Sequence, residues 1–473
     1  MTLPAEELSL EGFAGDGRAD TMAPGPLLAM VLGVVAGEDG AGLAGLSDDQ
    51  LIGFLSGTRR MESRMAWAKM AALAELASRP RRQDFAADEV AAAFNVTWLS
   101  AAGEIDYAST VARRLPVTFA ALAAGKVHPV HVKIIEDVTG ILSEEDAAIA
   151  DAELAEAAQS KTYGELRRAA TRLVLKLDPE AVRRRKEQAQ REATVRSFRE
   201  ESGNAGITGR EMSSVEVLAS MQHVEDRAHA LREAGVPGTW EELKLRATLD
   251  LLQERDSRPA ADAGPAVGAN ITITVPHTAM DGDFGPSGEV AGFGIIDHAD
   301  TRDLIAAAAG HPATRWCVTV LNPDGTAAAH GCAAGTRPWP PGQGPPGPMP
   351  LRGLLDFLNI KEFTPVIRGP CQHARAEHRY RPSRKLQHLV RARNATCTAP
   401  GCGRRATSCD LDHTDPHHHG GRTCECNLAP LCRHHHRCKQ AEGWWLEQPE
   451  PGVLVWHTPA GRTYTTTPTR YAA

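Results

Sequence analysis

The chain lacks any run of apolar residues that could cross a membrane. Its apolar stretch Leu27–Val35 is far shorter than the roughly 20 residues that a transmembrane helix needs. The first residues, MTLPAEELSLEGFAGDG, also lack the basic region and apolar core of a signal peptide. These absences predict a cytoplasmic protein that does not act with a membrane.

The chain also has no overall excess of basic residues. It contains 52 Lys and Arg and 59 Asp and Glu, for a net charge of −7. The distribution is uneven, however. The segment from Cys371 to the end contains 15 Lys and Arg and 8 Asp and Glu, a net charge of +7. The rest of the chain therefore carries −14. Within Cys371–Arg405, Glu377 is the single acid. A basic segment beside an acidic body favours phosphate contact by that segment; a solvated charged face without a partner is the alternative.

Cysteine is concentrated, with seven of the ten residues between Cys397 and Cys438 and histidines among them. Without an export signal, metal-bound thiolates in a reducing cytoplasm are favoured over disulfides. Cys397 with Cys402, and Cys432 with His435, have the short spacings of a tetrahedral zinc site. We therefore predict a structural Zn²⁺ bound by these four residues.

The sequence leaves other ligand sets for this zinc site open. An alternative zinc set pairs Cys371 and His373, or Cys424 and Cys426, with the other ligands. The remaining cysteines of the region serve as extra ligands or as buried thiols.

A second group of polar residues remains between and beside the zinc ligands. It contains a carboxylate next to an imidazole, Asp412-His413, followed by Asn427 and His436. A closed metal site with a separate set of His, Asn and Asp is the makeup of a metal-dependent nuclease.

The segment CDLDH, then GG, then NLAPLCRHHHRCK resembles the HNH endonuclease motif, in which His413, Asn427 and His436 would be the namesake residues. CQH at 371–373, YRPS at 380–383, PGC around Cys402 and the tail WHTPAGRTY resemble a large, mostly actinobacterial family. That family joins an HNH nuclease to a long N-terminal domain of unknown function. The resemblance implies an α+β, zinc-stapled ββα-metal domain, treble-clef-like in fold, over residues 351–473 with its core at 384–445.

The resemblance also implies roles. Asp412 and His436 would hold a catalytic Mg²⁺ or Mn²⁺, and His413 would be the general base. Asn427 would either orient the imidazole or join the metal shell, and both roles stay open. These residues are expected to lie on a strand–loop–strand–helix unit, with Asp412-His413 on the first strand and Pro430–Lys439 on the helix. There, adjacent His435 and His436 point about 100° apart, so that one faces zinc and the other the cleft.

The expected partner is DNA, most simply double-stranded, and the expected activity is phosphodiester hydrolysis. We predict that phosphate contacts come from Arg384, Lys385, Arg391 and Arg393. A zinc-containing DNA-binding protein without catalysis is the alternative. The basic cluster Arg183–Arg185 is interspersed with glutamates, which favours a solvated helix.

The rest of the chain predicts a mainly α N-terminal domain followed by a small β-containing segment. Helical periodicity and N-capping residues such as Ser143 support an all-α domain over 27–255, after a flexible leader over 1–26. Linker composition marks 256–268 and 335–350. Between them, within 269–334, Ile271–Val275 and Cys317–Leu321 alternate as strands do.

Overall fold

The computed structural model describes residues 10–79, 85–258, 270–276, 288–290, 294–296, 315–333, 360 and 362–471. The chain divides into two compact units, Met1–Gln188 and Ala189–Ala473. The division falls inside the stretch predicted as one all-α domain. None of the helices in the described residues combines the length and apolarity that crossing a membrane would require.

The N-terminal unit is helical, as the periodicity predicts. Its helices are α1 (Pro26–Ala36), α2 (Asp48–Ser78), α3 (Ala86–Phe94), α4 (Trp98–Arg114), α5 (Pro116–Ala123), α6 (Pro129–Thr139), α7 (Glu144–Ala157) and α8 (Tyr163–Leu177), and α9 (Ala181–Arg191) crosses into the second unit. Side chains cap several N-termini; Ser143, for example, accepts a hydrogen bond from the Asp146 amide at the start of α7.

One apolar core joins α2 through α8. Ala101, Val111, Leu122, Ile135 and Leu166 are fully buried in it. The buried carboxylate of Asp151 accepts hydrogen bonds from the amides of Val117 and Thr118, at 2.7 and 2.9 Å. These bonds cap α5, because its N-cap residue, Leu115, has an apolar side chain that cannot accept them.

Residues 10–25 differ from the flexible leader predicted for 1–26. Phe13 is fully buried among apolar side chains of α1, and its ring lies 5.4 Å from that of Phe54 on α2. A Cβ on Gly53 would lie 2.0 Å from the Phe13 carbonyl oxygen, so glycine there permits this close approach. Arg60 on α2 also donates to the carbonyls of Ala19 and Met22, each at 3.1 Å, so both burial and hydrogen bonds fix this Gly/Ala-rich segment. Residues 1–9 lie outside the described residues.

The C-terminal unit begins with an antiparallel hairpin of β1 (Thr194–Arg199) and β2 (Ala205–Arg210), followed by α10 (Ser214–Glu233) and α11 (Trp240–Gln253). The stretch predicted as all-α therefore contains a β-hairpin. Its turn uses Gly203 at φ 95°, a conformation that favours glycine. The two helices share a small core of their own around Ala228, Leu231 and Leu243.

The next sheet contains both predicted strands. Its strands are β3 (Asn270–Pro276), β6 (Arg315–Leu321), β7 (Ala327–Cys332) and β8 (Thr364–Pro365), in that order, while β4 (Gly288–Val290) and β5 (Gly294–Ile296) pair separately. β3 and β6 are parallel, and β6 and β7 are antiparallel, with Cys317 opposite Cys332. The predicted linkers lie outside the described residues, apart from residues 256–258.

The last part of the chain follows the expected strand–loop–strand–helix order. Its elements are α12 (Arg384–Arg393), β9 (Asp410–His413), β10 (Leu428–Leu431), α13 (Arg433–Cys438), β11 (Trp445–Glu450), β12 (Val453–His457) and β13 (Thr463–Thr466). Pro430, predicted on the helix, instead lies on β10 opposite Leu411. Its carbonyl accepts a hydrogen bond from the Thr398 amide, which keeps this residue extended, and the helix begins only after Cys432.

Candidate functional site

The four predicted zinc ligands come together. The donor atoms of Cys397, Cys402, Cys432 and His435 all lie within 4.8 Å of one another. His435 Nδ1 is 3.5 Å from Cys397 Sγ and 3.1 Å from Cys432 Sγ. All but Cys402 are buried. Two thiols from one turn and a Cys/His pair from the start of α13 thus form a group that could hold a metal such as zinc.

Local structure explains this convergence. Cys397 and Cys402 lie on a tight turn in which the Cys402 amide donates to the Ala399 carbonyl, and Gly401 has φ 70°. Cys432 is the N-cap of α13, so His435 follows one turn later on the same face. The neighbouring thiols of Cys397 and Cys402 lower the pKa of Cys432 well below its usual range. The cluster therefore favours a thiolate, the form that binds metal.

A second polar group lies on β9 and α13. His436 Nε2 is 3.0 Å from Asp412 Oδ1, and its Nδ1 is 3.3 Å from Asp410 Oδ2. The hydrogen bond to Asp412 raises the pKa of His436, against the opposite effect of burial. Lys439 Nζ contacts both the Asp412 carboxylate and the carbonyl of His413. Sequence reasoning assigned no role to this lysine, although it ends the same motif.

His413 is buried at the end of β9. Its Nε2 lies 2.8 Å from the hydroxyl of Thr423, which is itself fully buried. The exposed ring of Tyr380 stacks on the imidazole with centroids 5.3 Å apart, and the ring of His417 lies 5.4 Å from it, edge-on. Burial and, to a smaller degree, His417 lower the pKa of His413. These surroundings favour the neutral imidazole over the charged form.

The side-chain amide of Asn427 makes hydrogen bonds to backbone groups of the loop before it. Its Oδ1 accepts from the Asp415 amide at 2.7 Å, and its Nδ2 donates to the carbonyls of Asp415 and Arg422, each at 3.0 Å. A Cβ on Gly421 would lie 1.9 Å from the Asp415 carbonyl oxygen, so the loop can close only over glycine. Asn427 therefore positions the loop that carries His417.

The four residues predicted to contact phosphate differ in exposure. Arg384 and Lys385 are exposed on α12, and Arg391 is half-buried. The prediction is wrong for Arg393, which is only 2% exposed. Its guanidinium donates to the carbonyls of Glu425 and Leu428, at 2.6 and 2.7 Å.

The reason is helical register. Arg393 follows buried Leu386 by two turns, so it shares the face of α12 that packs inward. Burial lowers the pKa of Arg393 to about 10. It braces the segment before β10 from within and does not reach the surface.

Two further Cys/His groups occur among the described residues. Cys371 and His373 meet Cys424 and Cys426, two pairs that the sequence suggested only as alternative ligands of the first site. The other group, Cys317, His330, Cys332 and His388, was missed altogether. The available signal was His330 and Cys332 two apart on one strand face, opposite a cysteine on the neighbouring predicted strand.

Comparison with known proteins finds a family model that matches part of the chain. Residues 59–215 match the profile of a family described as "Domain of unknown function (DUF222)". This match covers most of the N-terminal helices and the β1–β2 hairpin.

The chain is also similar to uncharacterized proteins of Mycobacterium tuberculosis. It is 28% identical to Uncharacterized protein Rv3776 of strain H37Rv over 446 residues, covering 89% of this chain and 80% of that protein. It is 29% identical to Uncharacterized protein Rv2100 of the same strain over 460 residues, covering 89% of this chain and 78% of that protein. No solved structure matches the chain.

Proposed function

We propose that this protein is a cytoplasmic, metal-dependent DNA endonuclease of the HNH type, with its chemistry in residues 384–445. The observation that carries the proposal is the contact between Asp412 on β9 and His436 on α13, with His413 next to Asp412 on the same strand and the Cys/His group that would anchor α13 beside them. The resemblance of CDLDH and NLAPLCRHHHRCK to the HNH motif assigns the same residues. The cytoplasm is part of the proposal because thiolate ligands persist in a reducing compartment.

The donor atoms suit a hard divalent cation. Asp412 Oδ1 and His436 Nε2 are 3.0 Å apart, which matches neighbouring ligands of an octahedral ion with arms of about 2.1 Å. Asp410, which contacts the far nitrogen of His436, would orient this ring. When bound, Mg²⁺ or Mn²⁺ supplies Lewis-acid stabilisation of the scissile phosphate and the departing oxygen.

His413 is the proposed general base, and its tautomer follows from Thr423. The Thr423 hydroxyl donates its single hydrogen to the Tyr380 carbonyl, at 3.4 Å. It can then only accept from His413 Nε2, at 2.8 Å. We therefore assign the ring proton to Nε2, which leaves the lone pair on Nδ1 to take a proton from water. Thr423 is a positioning residue for this step.

DNA would be held by the exposed basic side chains of α12. Arg384 and Lys385 project from its first turn, next to the basic segment that begins at Cys371. Contacts of this kind bind phosphate without reading sequence. In the proposal, the α12 contacts therefore contribute to the affinity for DNA and not to a preference for a particular DNA sequence.

The direct test incubates supercoiled plasmid with the purified full chain and Mg²⁺ or Mn²⁺, with and without chelator. We expect nicking that requires the cation, and His413→Ala should lower the rate by about 10²–10⁴-fold. His418→Ala is the matched control, because His418 lies on the neighbouring loop and carries no role in the proposal. His413→Ala protein that nicks as fast as the parent would remove the base assignment.

A second candidate function is DNA binding without cleavage, and Lys439 favours it. Its ammonium group already neutralises Asp412, the residue that should bind the cation. In that case the parent should bind DNA in a salt-dependent way and leave plasmid intact with every divalent cation tried. Cation-dependent nicking by the parent would exclude this alternative.

A further inference from the structure

We propose that Cys317, His330, Cys332 and His388 form a second zinc site, which joins the strands β6 and β7 to helix α12. The proposal does not depend on nuclease activity. It rests on the geometry of four side chains that come from three separate elements.

The donor atoms have the spacing of a tetrahedral site. Cys332 Sγ lies 3.0 Å from His388 Nδ1 and 3.4 Å from His330 Nε2. Cys317 Sγ lies 3.1 Å from Cys332 Sγ and 3.8 Å from His388 Nδ1. Ligand atoms around a zinc ion with Zn–S of about 2.3 Å and Zn–N of about 2.0 Å are about 3.3–3.8 Å apart. The four atoms are thus gathered at nearly the distances that one zinc ion imposes.

The orientation of His330 is an independent observation. Its Nδ1 lies 2.8 Å from the hydroxyl of Thr319, which is fully buried. This bond fixes the ring so that Nε2 faces the thiols. Metal-ligating histidines are commonly held by a hydrogen bond at the other ring nitrogen. Thr319 and His330 are also partners across β6 and β7, so the sheet register itself sets this arrangement.

A disulfide between Cys317 and Cys332 is the main competitor, because the two residues are opposite each other across the strands. It would use two of the four groups and leave both imidazoles directed at sulfur atoms without a bonding role. Burying polar groups without full partners is costly. One zinc ion would satisfy all four donors, and two thiolates with two imidazoles are a common zinc set.

The site has a structural consequence. His388 lies 56 residues beyond Cys332, so a metal there would close a long loop and fix α12 on the sheet. Further along α12, Arg393 donates to the carbonyls of Glu425 and Leu428. The second site therefore holds the helix that braces the segment leading into β10.

A different observation carries a third site, at Cys371, His373, Cys424 and Cys426. Cys371 Sγ lies 3.6 Å from Cys424 Sγ, and His373 Nδ1 lies 3.4 Å from Cys426 Sγ. His373 has φ 57°, an uncommon conformation for a residue other than glycine. It lets Cys371 and His373 reach the same point from positions two apart. With three sites, eight of the ten cysteines have a metal-binding role.

The experiment counts zinc in the full chain, purified under reducing conditions, by elemental analysis with a protein concentration from amino-acid analysis. We expect three zinc ions per chain. Cys332→Ser and His388→Ala should each keep two, as should Cys426→Ser, and Cys332→Ser with Cys426→Ser should keep one. Cys438→Ser and His378→Ala are the matched controls, since neither belongs to one of the three groups, and both should keep three.

Loss of the ligand is separated from misfolding by comparing His388→Ala with His388→Cys, which keeps a metal-binding side chain at this position and should hold three zinc ions. The second site is overturned if His388→Ala and Cys332→Ser hold as much zinc as the parent. It is equally overturned if intact-mass analysis after thiol alkylation shows Cys317 and Cys332 joined as a disulfide. The third site is overturned if Cys426→Ser retains the parental count.

Discussion

In the N-terminal unit, helices α2 to α8 share one apolar core, whereas the described residues between 315 and 471 form small separate apolar clusters. All ten cysteines and the three Cys/His groups lie in that second region. Small folds that cannot bury a large core commonly depend on bound metal. The comparison predicts that the two regions respond oppositely to chelation and to core mutation.

The largest effect should come from Cys402→Ser. A structural zinc contributes about 10–16 kcal/mol of binding free energy in zinc-finger peptides, and that energy is coupled to folding. The variant should lose the zinc of its own cluster and the fold around β9, β10 and α13, while the N-terminal helices keep their circular dichroism. A variant with the parental zinc content would reject this ligand set.

Variants of neighbouring residues in the proposed nuclease site should differ in how their nicking rates respond to Mn²⁺. Asp412→Ala and His436→Ala should weaken cation binding, so raising Mn²⁺ should partly restore nicking and titration should show weaker Mn²⁺ binding. His413→Ala should lose about 10²–10⁴-fold in rate, because the base is gone, and should bind Mn²⁺ normally. Restoration of His413→Ala by Mn²⁺ would contradict this division.

A core mutation should reverse the pattern in the N-terminal unit. Leu122 is fully buried, so Leu122→Ala should lower the free energy of unfolding of that unit by about 2–5 kcal/mol. Zinc content should stay at the parental level, as measured beside thermal and urea unfolding. Loss of zinc in this variant would argue against separate means of stabilisation.

The smallest effect concerns α12. Replacing Arg384 and Lys385 with Gln should flatten the slope of log K against log salt by about 0.9 for each DNA phosphate that these side chains neutralise. Arg393→Gln should leave the slope unchanged and lower stability instead, because its buried carbonyl partners lose their donor. An unchanged slope in the first variant would move the DNA surface elsewhere, with the exposed Arg183–Arg185 cluster of α9 as the next to test.

Whether a ligand group could be predicted depended on how far apart its residues lie in the sequence. Cys397, Cys402, Cys432 and His435 could be grouped because each pair is local to one turn or one helix start. Cys317 and His388 are 71 residues apart, and their meeting depends on the register of β6 and β7 and on where α12 packs. No local pattern contains that information.

Two other differences have other causes. Arg393 was predicted on the surface because charge was considered without the inward face defined by Leu386 and Val390. For Asn427 the sequence left two roles open, orienting the imidazole or joining the metal shell, and it did not indicate the loop contacts with Asp415 and Arg422 that the structure shows. The N-terminal helices and strands β3 and β6 were readable because periodicity, alternation and capping are local signals.

Hydrogen exchange of the full chain, followed by mass spectrometry before and after zinc removal with a strong chelator, tests the central contrast most directly. We predict that peptides from α3 to α8 keep their protection, whereas those from β6–β7 and from α12 to α13 lose it and regain it when zinc is restored. Retained protection throughout residues 315–471 after complete zinc removal would contradict the account.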